Sequence, residues 1–209
     1  FDCFLAAQEV GEQGRVIVPG FYDGVRPLSE ADRRKMHANA YTEDQWRDDT
    51  GAPQPWGEPG YSLRERIGAR PTLEITGIGG GYADAGFKAI VPQKAVAKIL
   101  CRLVADQDPK QVIQAVSDYV AQITPPTVES EIIQPMSGSR AVQIDTDHPM
   151  MQIASAVYEK HWHAAPVFQR EGASIPVVSS LQNKVGLPVI MMGFGLDSNG
   201  LHGPTEHFS

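Results

Sequence analysis

The order of hydrophobic patterns within residues 72–133 is the feature that most constrains the fold of this chain. Residues 72–78 and 95–104 each alternate between apolar and polar side chains, as strands with one buried face do. A helix pattern follows, with Asp108 as its predicted N-cap. Residues 127–133 are then predicted to form a third strand. This order predicts an α+β domain, in which an antiparallel sheet carries helices on one face.

A different pattern begins after residue 143. Following one more helix pattern, residues 166–168 and 188–192 are continuous apolar runs. Such runs are typical of strands that are buried on both faces, as in an α/β sheet. We therefore predict two domains, residues 1–143 and residues 144–209, and an α/β class for the chain as a whole.

The first 70 residues are rich in turn formers. Residues 51–60 contain three prolines and three glycines, so they predict a loop and not a strand or helix. Short helices are predicted to begin after Ser29 and after Thr42, because each of these side chains can accept hydrogen bonds from the first helical turn. A short strand is predicted at residues 15–18.

Composition excludes several classes of protein. The net charge of −7 argues against a surface built to bind nucleic acid or an anionic membrane. No apolar run reaches the roughly 18 residues that a membrane span needs. The two cysteines, Cys3 and Cys101, cannot form a disulfide framework, which predicts a reducing, cytoplasmic location. The 42% hydrophobic content predicts a folded chain.

Three places carry candidate chemistry. Ser174 precedes a predicted helix start, where backbone N–H groups bind anions, although a plain N-cap explains it as well. His202 lies in a loop rich in glycine and asparagine after an apolar run; a neutral imidazole there suits zinc, while an ordinary surface histidine is the simpler interpretation. His161 and His163 diverge on a helix and indicate only its polar C-terminal end.

Four segments resemble, in this order, a known family. They are RPTLEITGIGGGYADAGFKAIVP, AKILCRLVADQDP, REGASIPV and GLPVIMMGFGLDSNGLHGPTEHF. They look like the zinc metallopeptidase superfamily of carnosinase, acetylornithine deacetylase, succinyl-diaminopimelate desuccinylase and glutamate carboxypeptidase. Residues 15–70 resemble the enlarged insertion of the carnosinase-like cytosolic dipeptidases, so the resemblance is strongest to that branch.

The resemblance implies two domains and a dimer. Members of this family have a zinc-bearing α/β catalytic domain and an inserted lid domain through which two copies associate. Residues 1–143 would be most of the lid, truncated at its N-terminus, and residues 144–209 would be an incomplete C-terminal part of the catalytic domain. We therefore expect a homodimer formed through the lid, and no nucleic-acid or membrane partner.

The resemblance also implies roles for five residues. His202 matches a zinc ligand. Arg102 matches the lid arginine that binds the substrate's C-terminal carboxylate, and a planar guanidinium suits a carboxylate in a way that lysine does not. The remaining three belong to a loop that contacts the same carboxylate: Glu171, Gly172 and Ser174.

Some family features differ or are missing. Ala173 stands where the family usually has glycine, and Ala89 where carnosinase-like lids have a threonine that reaches the partner's site, so substrate preference is not carried over. The family's His-x-Asp motif, its bridging aspartate, its Glu-Glu pair and the site histidine of its lid do not occur in these 209 residues. We thus expect no catalytic residue in this chain.

These observations predict a C-terminal portion of a dinuclear zinc metallopeptidase that hydrolyses dipeptides or N-acyl amino acids. A two-zinc site needs several ligands and a base that activates water, and this chain would supply one ligand only. We therefore expect the 209 residues to be inactive by themselves. The alternative is a non-catalytic dimerisation or interaction module, which predicts a dimer without bound zinc.

Overall fold

The computed structural model describes residues 14–38, 41–133, 138–171, 175–200 and 203–208. The chain divides into two compact units, Phe1–Gln143 with Val167–Ser180, and Ile144–Pro166 with Leu181–Ser209. The assignment of a lid domain to residues 1–143 and of a catalytic domain to residues 144–209 stays a prediction. Among the described residues, no helix combines the length and apolar character that crossing a membrane requires.

Three short helices precede the sheet: α1 (Glu30–His37), α2 (Glu43–Thr50) and α3 (Leu63–Ala69). Each begins with a capping box, in which the N-cap hydroxyl and the side chain three residues later satisfy each other's backbone amides. The predicted helix starts after Ser29 and Thr42 are confirmed. Helix α3 was not predicted, because the prolines just before it dominate the local pattern.

The sheet is a hairpin of two antiparallel strands, β1 (Thr72–Gly80) and β2 (Ala95–Arg102). Both strands were predicted. Thr72 pairs with Arg102 at one end and Gly80 with Ala95 at the other, and an irregularity between Ile75 and Gly77 shifts the register. Residues 127–133 have no regular secondary structure and are exposed, so the predicted third strand is wrong.

Helix α4 (Pro109–Ile123) packs against one face of the hairpin at the end where Leu73 pairs with Cys101, and the rest of β2 is exposed. It begins as predicted, with the Asp108 carboxylate accepting the Lys110 N–H at 2.9 Å. The residues 15–18, predicted as a strand, contribute apolar side chains and a single β-bridge at Val16. The buried cluster beneath the helix consists of Val16, Val18, Phe21, Leu73, Val112 and Tyr119. A hairpin with a helix on one face is the core of the predicted α+β arrangement.

The second unit contains α5 (Pro149–Trp162), which begins where the sequence predicts. The His148 Nδ1 accepts the Met150 N–H at 3.2 Å and caps the helix. Met150, Ile153 and Val157 recur at the spacing of one helix face, but all three are exposed, whereas the neighbouring Met151 is buried.

The two apolar runs predicted as buried strands, residues 166–168 and 188–192, have no regular secondary structure. A strand needs a neighbour for its backbone N–H and C=O groups, and β1 and β2 are the only strands among the described residues. Residues 176–185 do form a helical segment, as α6 (Pro176–Ser180) followed by a π-helical turn (Leu181–Val185).

Candidate functional site

Arg102 is the last residue of β2 and lies on the hairpin face that α4 does not cover. Alternation of side chains puts Cys101 against the core and Arg102 on the opposite, exposed side. Lys98 lies four residues before Arg102 in β2, so its side chain is on the same open face. An exposed guanidinium at a strand end can donate two parallel hydrogen bonds to a carboxylate. Its predicted role as a carboxylate ligand stays a prediction.

Residues 167–171 lead into the predicted carboxylate loop and are held by helices of the first unit. The Arg170 guanidinium donates to the Asp32 carboxylate in α1. The Arg64 guanidinium in α3 donates to the Gln169 Oε1 at 3.3 Å. Both contacts join parts of the chain more than 100 residues apart, and the sequence patterns did not predict either.

The residues of the predicted loop can be followed only in part. Glu171 is exposed at the end of the anchored segment. Gly172 and Ser174 lie outside the described residues, as does Ala173 between them. Helix α6, which follows the loop, has only five residues.

The loop that contains the predicted zinc ligand belongs to the second unit, and hydrogen bonds of Asn199 join the residues before and after it. Asn199 is 2% exposed, and its side-chain oxygen accepts the Leu196 N–H at 2.6 Å. Its main-chain oxygen accepts the His207 N–H at 3.0 Å, which closes the loop. Gly200 has φ +64°, a conformation that glycine adopts without strain. His202 itself lies outside the described residues.

A metal centre cannot be assembled from the part of the chain that the structure describes. Within it, no group of three or more His, Cys, Asp or Glu side chains lies close enough to hold an ion. A zinc site in a hydrolase normally has three protein ligands and an open position for water. The described residues therefore do not fit a complete zinc site.

Comparison with known proteins shows what this chain is similar to. Residues 28–128 match the family model described as the peptidase dimerisation domain. Over 202 residues the chain is 25% identical to the Cys-Gly metallodipeptidase DUG1 of Candida albicans, covering 94% of this chain and 41% of that protein. Over 204 residues it is 22% identical to the Beta-Ala-His dipeptidase of Homo sapiens, covering 97% and 40%. The chain thus spans about two fifths of the length of the curated relatives it matches.

Solved structures give the same result for the fold. The M20 family metallo-carboxypeptidase Sso-CP2 from Sulfolobus solfataricus superposes with a TM-score of 0.84 at 24% identity, over 98% of this chain and 46% of that one. Human carnosine dipeptidase 1 superposes with a TM-score of 0.71 at 22% identity, over 98% and 43%. The predicted fold class and the predicted resemblance are confirmed: residues 28–128 match the peptidase dimerisation domain, and the chain is similar to metallodipeptidases over 94% of its length.

Proposed function

We propose that this chain is part of a dinuclear zinc metallopeptidase that hydrolyses dipeptides or small N-acyl amino acids. The observation that carries the proposal is the extent of the similarity: two proteins named as Cys-Gly metallodipeptidases each match 94% of the chain, and one named as a Beta-Ala-His dipeptidase matches 97%. Zinc would polarise the scissile carbonyl and activate water. In this proposal His202 is one zinc ligand, and the other ligands and the general base lie outside these 209 residues.

The part played by this chain is to bind the substrate's C-terminal carboxylate. Arg102 offers two N–H groups in one plane from the open face of the hairpin, which matches the geometry of a carboxylate. Ser174 would add a hydroxyl donor, with Glu171 and Gly172 forming its loop. Binding the end of the substrate in this way would fix the scissile bond for attack, as substrate-positioning residues do.

The division of labour can be tested by comparing two samples. The whole protein, loaded with zinc, is expected to hydrolyse Cys-Gly or β-Ala-His and to lose this activity when a chelator is added. The 209-residue chain, verified by intact mass, is expected to be inactive under the same conditions. Zinc-dependent turnover by the 209-residue sample would overturn the proposed division, and a whole protein without peptidase activity would overturn the proposed function.

We further propose that two copies associate through the far end of the hairpin. Phe87 and Val91, in the segment between β1 and β2, are 105% and 94% exposed, and Ile78, Ile90 and Val96 are exposed nearby. Apolar side chains this exposed and this close together are typical of a protein–protein interface. The match to a dimerisation domain over residues 28–128 supports the same proposal.

Substitution of the exposed pair provides a test of the dimer. Changing Phe87 and Val91 to Asp is expected to raise the dimer dissociation constant at least about 10-fold, since burying each side chain is worth about 1.5–3 kcal/mol. Light scattering after size-exclusion chromatography measures the shift. Trp56→Asp, at an exposed apolar residue outside the hairpin, is the matched control. A wild-type protein that is monomeric at high concentration would contradict the proposal.

A cytoplasmic location is also proposed. It rests on the use of cysteine: with two cysteines in 209 residues, the chain is not built around disulfide bonds, which is typical of proteins from reducing compartments. If dimerisation were found without zinc binding or peptidase activity in the whole protein, the alternative of a non-catalytic dimerisation module would be favoured instead.

A further inference from the structure

Two helices in the turn-rich first part of the chain contact residues 169–170, just before the predicted carboxylate loop. Helix α1 contacts it through the ion pair between Asp32 and Arg170. Helix α3 contacts it through the hydrogen bond from Arg64 to Gln169, at 3.3 Å. All four residues belong to the same compact unit. Both contacts fall within two residues of Glu171, where the predicted loop begins.

Gly68 shows how closely α3 approaches this segment. A Cβ atom built on Gly68 would overlap the main-chain oxygen of Arg170 and would lie 2.7 Å from the Arg170 Cβ. Glycine within a helix costs about 1 kcal/mol relative to alanine. Glycine at this position therefore destabilises the helix slightly, but it allows the two backbones to approach closely.

The Asp32 carboxylate is itself fixed in place. As the third residue of α1 it accepts hydrogen bonds from the Ser29 hydroxyl at 2.8 Å and the Ser29 N–H at 3.4 Å. Partial burial raises the pKa of Asp32, but the Ser29 hydrogen bonds and the charge of Arg170 outweigh it and leave the pKa below its ordinary value. The group that holds Arg170 is therefore charged and oriented by its own helix.

Helices α1 and α3 are also joined to each other by a hydrogen-bonded ion pair. Glu65 of α3 is 1% exposed and accepts a hydrogen bond from Arg33 of α1 at 2.7 Å. The same carboxylate accepts the Ser62 N–H at 2.8 Å, in the capping box that begins α3. Since Arg33 is adjacent to Asp32, and Glu65 is three residues from Gly68, the bridge connects both contact points. The two helices therefore hold residues 169–170 as one support.

We propose that Asp32 and Gly68 are positioning residues: through α1 and α3 they clamp residues 169–170 and so fix the place of Glu171, the residue that leads into the proposed carboxylate site. This inference rests on the proposed function. It assigns a further task to the turn-rich insertion, which adds apolar side chains to the core but holds no residue expected to touch the substrate. Loosening the clamp displaces Glu171 and weakens binding of the carboxylate, while the hydrolytic step itself is unchanged.

Two variants of the whole protein test the clamp. Asp32→Asn keeps an oxygen that can cap α1 and removes the charge that pairs with Arg170. Gly68→Ala forces the two backbones apart. Asp44→Asn, in the first turn of α2, and Gly79→Ala, where a Cβ meets no atom within 4 Å, are the matched controls. Asp32→Glu retains both the charge and a capping side chain, so it is expected to resemble the unmodified protein.

Two measurements separate the clamp from the proposed function. Hydrogen–deuterium exchange of a peptide covering residues 167–175 is expected to become faster in Asp32→Asn and Gly68→Ala and to stay unchanged in the controls. With zinc bound, the KM for a dipeptide with a free C-terminal carboxylate is expected to rise about 10-fold at nearly constant kcat, because a small misplacement of a binding group costs one to two orders of magnitude. The KM for the C-terminally amidated dipeptide is expected to change less than twofold.

Each other result has a definite meaning. Unchanged exchange in Asp32→Asn overturns the clamp, whatever the activity. Faster exchange with an unaltered KM, or with equal effects on the free and amidated substrates, overturns the positioning role. Absence of dipeptidase activity in the unmodified whole protein overturns the proposed function, and with it the carboxylate-positioning role, whereas the exchange experiment still decides whether the clamp exists. If Gly68→Ala does not fold, Asp32→Asn carries the test alone.

Discussion

Replacing Glu58 with Gln is expected to lower the free energy of unfolding by about 3–5 kcal/mol. Glu58 accepts hydrogen bonds from the Arg70 Nε at 2.7 Å and Nη2 at 3.0 Å, and the two side chains are only 8% and 10% exposed. The Arg70 guanidinium also lies against the rings of Tyr22 and Tyr61, at 5.0 and 4.5 Å from their centroids. Glutamine has the same size but no charge, so Arg70 would stay in this buried place with its charge unpaired.

A variant in an exposed ion pair tests whether burial causes the large loss of stability expected for Glu58→Gln. Glu43→Gln removes one of the two carboxylate partners of Arg47 in α2, where the side chains are largely exposed, and is expected to change stability by less than about 0.5 kcal/mol. Urea denaturation of both variants measures the difference. Replacing both partners, as Glu58→Leu with Arg70→Met, is expected to recover much of the loss, because it leaves no uncompensated charge. Equal, small effects of Glu58→Gln and Glu43→Gln would show that burial does not strengthen the first pair.

Helix starts were predictable because each depends on residues within one turn of the chain. Ser29, Thr42 and Asp108 all act as N-caps, and a cap needs only its own side chain and the amides two or three residues ahead. The same signal was present at Ser62 and Glu65 but was obscured by three prolines in the ten residues 51–60. Local chemistry therefore explains both the correct predictions and the omission.

Strands and burial were less predictable, because they depend on neighbours that are distant in sequence. Residues 127–133, 166–168 and 188–192 have apolar patterns suited to strands, yet none has a paired neighbour in the described part of the chain. Met150 and Ile153 have helical spacing but remain exposed. An apolar pattern gives the tendency to be buried, and only the surrounding structure decides whether a surface is available to cover it.

In the candidate site, too, local features were predictable from the sequence and long-range contacts were not. The alternation of residues 95–104 is a local signal, and in β2 it places the exposed Arg102 opposite Cys101, which packs against the core. The ion pair of Asp32 with Arg170 spans 138 positions, and no periodic or capping signal relates residues so far apart. A positioning contact of this kind becomes visible only when the backbone brings the two segments together.

Arg102→Ala in the whole protein is expected to lower kcat/KM for a free-carboxylate dipeptide about 100-fold, because a charge-assisted hydrogen bond contributes about 1.5–3 kcal/mol and this side chain can form two. Arg102→Lys is expected to recover only a small part of the loss, since an ammonium group keeps the charge but cannot match the carboxylate with two coplanar donors. The C-terminally amidated dipeptide lacks the charge that Arg102 would bind, so its kcat/KM should fall far less.

Lys98→Gln distinguishes a specific contact from general attraction of a negatively charged substrate. Lys98 lies on the same open face of β2, about 13 Å from Arg102 by the rise of an extended strand, and its loss removes the same amount of charge. A change of less than about threefold is expected, because exposed charges more than a Debye length apart are screened at physiological salt. If Lys98→Gln and Arg102→Ala reduced kcat/KM equally, or if Arg102→Ala affected the free and amidated dipeptides alike, Arg102 would act through the surface potential and not as the ligand of the substrate's carboxylate.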